Sequence, residues 1–115
     1  MTDEELEALL EDLESDRVER KSSFSDLGKI RQAICAFAND MSNHKKPGVV
    51  FIGEKDKGGS ANLDITDPLL QNLISMRSDG NILPFPVMTA EKRILLGRTL
   101  AVVVVHPSDS PPGAV

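Results

Sequence analysis

Between Asp26 and about Met41 the apolar residues Leu27, Ile30, Ile34, Phe37, Ala38 and Met41 recur at i, i+3, i+4 and i+7. That spacing places them on one face of an α-helix, and no strand can gather them on one side. Asp26 is the expected N-cap, and Lys29 and Arg31 fall off the stripe. A one-sided helix of this length must lie on another apolar surface. Two runs can supply it. "VVFIG" and "AVVVV" are continuous, β-branched and short, the pattern of strands buried on both faces.

The rest of the chain punctuates around these elements. "TDEELEALLEDLE" predicts a helix with Thr2 or Asp3 as its cap, acids in its first turn, and an apolar stripe of Leu6, Leu9, Leu10 and Leu13. "RVERKS" alternates as a strand, and "SANLDI" reads as a partner strand returning after the "EKDKGG" turn. "TDPLLQNLISMRSD" predicts a third helix, capped by Thr66, with Pro68 in its first turn and Leu69, Leu70, Leu73 and Ile74 facing the core. "PVMTAEKRIL" and "TLAVVVVHP" flank "LGR" as a β-hairpin. The expected fold class is therefore α+β, a small mixed or antiparallel sheet with about three helices.

At 115 residues the chain makes one small domain with a single core. No apolar run is long enough to span a bilayer, the acidic start is no signal peptide, and the lone Cys35 forms no internal disulfide. These features predict a cytoplasmic protein with no membrane partner. The net charge of −5 conceals a division. Residues 1–16 hold eight acids and no Lys or Arg, whereas residues 17–115 hold thirteen bases against ten acids. A mildly basic body behind an acidic leader is compatible with phosphate binding. With no Trp or Tyr and only Phe24, Phe37, Phe51 and Phe85, a base-stacking platform is not expected. "GEKDKGGS" lacks the Lys of a phosphate-binding loop, since position 59 is Gly. His44 and His106 have no partner at metal-ligand spacing, and Cys35 is expected as a small buried hydrophobe.

"ESDRVERK" (14–21), "IRQAICAFAND" (30–40), "GVVFIGEKD" (48–56) and "AVVVVHPSDSPP" (101–112) follow one another in an order that resembles the Schlafen Alba-like domain. The resemblance covers residues 14–112 and sets residues 1–13 apart as an acidic N-terminal helix. It implies a compact α+β domain that binds nucleic acid, DNA or RNA, as a module of a transcriptional regulator. It leaves room for a homodimer and for a fused or partner regulatory domain. Related vertebrate domains cleave tRNA and rRNA with three carboxylates, which match Glu14, Glu19 and Asp56 here. In that second reading the three would hold Mg²⁺ or Mn²⁺, activating water and stabilising charge on the scissile phosphate. Phosphate contacts are expected from Arg17, Lys21, Lys45, Lys46, Lys55 and Lys57. The chain departs from the family pattern at Arg20, where an apolar Phe is usual, and at Glu54, which replaces Val and crowds another acid toward Asp56. The family domain also continues past "PSDSPP" into a further strand, so the resemblance implies a domain cut short. A third reading is a protein-interaction or dimerisation module, which an exposed apolar edge at "AVVVV" would favour.

Overall fold

The computed structural model describes residues 1–40, 45–78 and 87–107. Met41, His44, the "GNILPFP" loop and the tail after Pro107 lie outside them. The order of elements is α1 (Asp3–Glu11), β1 (Val18–Lys21), α2 (Leu27–Ala38), β2 (Gly48–Ile52), α3 (Asp67–Ser75), β3 (Val87–Leu95) and β4 (Arg98–His106). The strands form one mixed sheet in the order β1-β2-β4-β3. β1 and β2 run parallel, joined through α2, while β4 is antiparallel to both β2 and β3.

The two apolar runs become the central strands, and both faces of each are covered. Val49, Phe51, Leu100, Val102 and Val104 pack with Leu6 and Leu10 of α1 on one side. Val50, Ile52, Ala101, Val103 and Val105 pack with Ile30 and Ile34 of α2 and with Leu69, Leu73 and Met76 at α3 on the other. Alternation along each strand feeds both layers, so neither run carries a polar position. The acidic α1 thus contributes two side chains to the core and is one of the three layers.

Helix starts follow local chemistry. Thr2 closes a capping box: its Oγ1 accepts from the Glu5 N–H at 3.2 Å, and the Glu5 carboxylate accepts from the Thr2 N–H at 3.0 Å. Asp26 and Thr66 cap α2 and α3 by accepting from the N–H groups of Lys29 and Leu69. The hairpin turns through Leu96 and Gly97, both at positive φ (52° and 75°), the backbone of a type I′ turn. Leu is a strained choice there, and its N–H donates to the Glu7 carboxylate at 2.9 Å, which ties the hairpin tip to α1.

Several expectations need correction. "SANLDI" is no strand: Ser60 makes an isolated bridge to Glu54, and residues 61–65 have no regular structure. Asn62, at φ 57°, turns the backbone out of the extended range. Ile74 is 39% exposed and Met76 takes its place in the core, because the buried side of α3 follows 69, 73 and 76. The edge at "AVVVV" that would favour an interaction module is not found, since β4 lies between β2 and β3, buried as its unbroken run predicts. Cys35 and Phe37 are half-buried at the rim of the α2 layer.

Candidate nucleic-acid interface

Among the described residues β1 is an edge strand, hydrogen-bonded to β2 alone. Because the pair is parallel, each end of β1 lies beside the corresponding end of β2. At the start, the Arg17 carbonyl accepts from the Val49 N–H at 2.8 Å and the Arg17 Nε donates to the Pro47 carbonyl at 2.9 Å. Arg17 therefore stands next to the Lys45–Lys46 pair, both exposed. Lys45 has a positive φ of 58° and its N–H donates to the Asp40 carboxylate at 2.8 Å, which fixes the bend. At the other end, the Lys21 carbonyl accepts from the N–H groups of Gly53 and Glu54. Lys21 thus borders the turn that carries Lys55 and Lys57, again exposed. The six cations form two groups, separated by the length of β1, about 13 Å at ~3.3 Å per residue.

The carboxylates are arranged differently. Val18 and Arg20 face the α1 layer, so Glu19 and Lys21 face the α2 layer. There they pair with each other, Nζ to Oε1 at 3.3 Å. Glu14 is exposed on the α1–β1 connection, and Asp56 is exposed on the 53–61 turn. These two segments adjoin, since a Cβ on Gly58 would meet the Leu13 Cδ2 at 3.9 Å. Among the described residues no three His, Cys, Asp or Glu side chains are grouped so as to hold a metal ion.

The two departures from the family pattern have structural roles that the sequence did not disclose. Glu54 is fully buried and does not crowd Asp56. Its Oε1 and Oε2 accept from Nε and Nη2 of Arg98 at 3.0 and 2.9 Å, and Oε2 also accepts from the Gly59 N–H at 3.1 Å. The carboxylate beside Arg98 raises the arginine pKa, chiefly through those hydrogen bonds. This fork closes the 53–61 turn from inside, with the Lys55 N–H donating to the Gly59 carbonyl across it. Arg20 is buried as its position on β1 demands, and its Nη2 donates to the carbonyls of Leu10 at 2.8 Å, Asp12 at 3.0 Å and Leu9 at 3.4 Å. It is the cation at the C-terminus of α1, whose own last turn has none.

With this arrangement in view, the comparison with known families is decisive. Residues 14–114 match the Schlafen, AlbA_2 family. The chain belongs to that family. Its α+β architecture agrees with the membership, and so does a nucleic-acid-related role. No curated protein and no solved structure gives a significant match. Among the described residues no helix is long and apolar enough to cross a membrane. In this AlbA_2 chain the family match begins at Glu14, after α1, although α1 closes one face of the sheet.

Proposed function

We propose that the chain is a nucleic-acid-binding module serving a regulator, and that it holds phosphates along the open edge of β1. The observation that carries this reading is the gathering of Arg17, Lys45 and Lys46 at one end of β1, an edge strand among the described residues, and of Lys21, Lys55 and Lys57 at the other. A separation of about 13 Å corresponds to the rise of roughly four nucleotides in one strand of a duplex. Cations placed this way neutralise phosphate and set position without reading sequence. The endonuclease reading draws less support, because Glu19 pairs with Lys21 and, among the described residues, no three acidic side chains are grouped for a metal ion. The interaction-module reading loses its main sign, since the Val-rich strand is interior.

The test is a titration of tRNA, duplex DNA and single strands at two salt concentrations, with and without Mn²⁺. Binding should weaken steeply with salt. Lys45→Glu with Lys46→Glu, and separately Lys55→Glu with Lys57→Glu, should each flatten the salt slope on duplex by about two, one unit for each phosphate no longer neutralised. Absence of binding at low salt, or unchanged slopes in both variants, refutes the interface. Mn²⁺-stimulated cleavage abolished by Glu19→Gln would move the assignment to a nuclease.

A further inference from the structure

The fork between Glu54 and Arg98 does more than close a turn. It engages Nε and one N–H of Nη2, which leaves Nη1 and the remaining Nη2 proton on the opposite side of the guanidinium. Arg98 also lines an open cleft of about 330 Å³ between the hairpin tip and residues 60–64. Thr99, Ser60, Asn62 and Asp64 line it too. Ser60 and Asn62 bond to each other, the hydroxyl donating to Asn62 Oδ1 at 3.4 Å. The Asp64 carboxylate and the Thr99 hydroxyl have no hydrogen-bond partner among the described residues, and neither does Nη1 of Arg98. Unpaired donors and an unpaired acceptor therefore share one polar space, directly behind the turn that carries Lys55 and Lys57.

Charge decides what such a space accepts. Arg98 is already balanced by Glu54, and Asp64 adds a negative charge, so a phosphate is repelled. A neutral group that presents both acceptors and donors is favoured. We infer that the cleft accepts an unstacked guanine base from a single-stranded segment whose phosphates lie on the neighbouring lysines. Guanine is the base with two adjacent N–H donors, at N1 and at the 2-amino group, which match the two oxygens of a carboxylate. Its O6 is the adjacent acceptor for a guanidinium or hydroxyl donor. Recognition by base edges suits a chain with few aromatic side chains, and unpaired bases are the ones whose edges are free to be read. The inference rests on the proposed phosphate interface and adds base selectivity to it.

The experiment measures anisotropy of labelled oligouridylates that carry guanine, hypoxanthine, adenine or uracil at one central position. The protein is the full chain, either unaltered or with Asp64→Asn. Asp64 is exposed and outside the helices and strands, so the variant keeps the fold, and its melting temperature checks that. Guanine should bind about tenfold more tightly than uracil, in the range of a two-point base contact. Hypoxanthine, without the 2-amino group, should lose most of that gain. Asp64→Asn should reduce the guanine preference to under about twofold, while the all-uracil oligomer is bound no more weakly than before, because the variant also removes a negative charge near the phosphates. Equal binding of all four oligomers, or a preference untouched by Asp64→Asn, overturns the cleft while the phosphate interface stands. Failure of every oligomer to bind in a salt-dependent way overturns both.

Discussion

Replacing Arg20 with Met separates two opposed effects on one buried side chain. Met keeps the apolar stem and most of the length but removes every donor. Of the three carbonyls that Nη2 serves, only that of Leu10 is in a fully buried bond; those of Leu9 and Asp12 are in partly buried bonds that water can replace. Leaving the Leu10 carbonyl dry costs about 1–3 kcal/mol. Loss of the cation at the C-terminus of α1 adds roughly 0.3–1 kcal/mol. In the other direction, burying a guanidinium is itself costly, and its Nε has no partner in this structure. Removing that burden returns on the order of 1 kcal/mol, the cost of one unmade buried hydrogen bond. The net loss should be about 0.3–3 kcal/mol, or roughly 1–12 °C in melting temperature for a domain of this length. Urea melts followed by circular dichroism measure it, and amide exchange should show the opening concentrated in α1. A Met variant as stable as the parent would show that desolvation outweighs capping, and that Leu6 and Leu10 hold the helix unaided.

Other perturbations test the packing and the titration behaviour. A Cβ on Gly48 would lie 2.2 Å from Cγ of Phe37, so Gly48→Ala should cost about 1–3 kcal/mol by overpacking. The same change made together with Phe37→Ala should cost less than about 1 kcal/mol; additive losses in the denaturation cycle would mean that the ring does not rest on Gly48. Glu5 is held below its usual value of 4.5 by hydrogen bonds from the backbone and then the side chain of Thr2. Its contribution is therefore complete above that value and disappears as pH falls through the lower, folded one. Exchange of the Thr2 and Glu5 amides should accelerate across that acid window, and Glu5→Gln, which retains the box, should remove the pH dependence.

The parts of the fold that could be read from sequence were those encoded by periodicity or by a single run. α2 declared itself because its apolar stripe has only one helical phase, and β2 and β4 because nothing polar interrupts them. α3 was harder: with 69, 70, 73 and 74 all apolar, two adjacent stripes were available, and only packing chose the one that ends at Met76. The strand expected at "SANLDI" failed because alternation in a short polar segment does not guarantee a partner, and β2 already has β1 on one side and β4 on the other. The candidate interface divides in the same way. Clustered lysines are visible as local charge, and the carboxylates as a family pattern. Glu54–Arg98 spans 44 residues and Arg20 binds main-chain carbonyls, so neither leaves a local signal. An acid and a base at positions where the family pattern is apolar were the available clue, since such residues are buried only when paired.

The acidic helix now has a definite electrostatic consequence for the proposed interface. Its C-terminal end lies against the 53–61 turn, because Leu13 approaches Gly58. The acids Glu11, Asp12 and Glu14 flank that end, all exposed, and the carbonyl pole of α1 adds to them apart from what Arg20 offsets. Charges in such adjoining segments fall within about one Debye length, ~8 Å at physiological salt, so their repulsion of phosphate is not screened away. On the proposed interface, a nucleic-acid strand drawn to Lys55 and Lys57 would therefore be pushed off the α1 side of the sheet. It would be admitted from the edge of β1 and from the α2 side, where Lys21 projects. The charge division visible in the sequence, eight acids followed by a basic body, becomes a directional one in the fold: α1 completes the core with its leucines and restricts with its acids the side from which phosphate can approach.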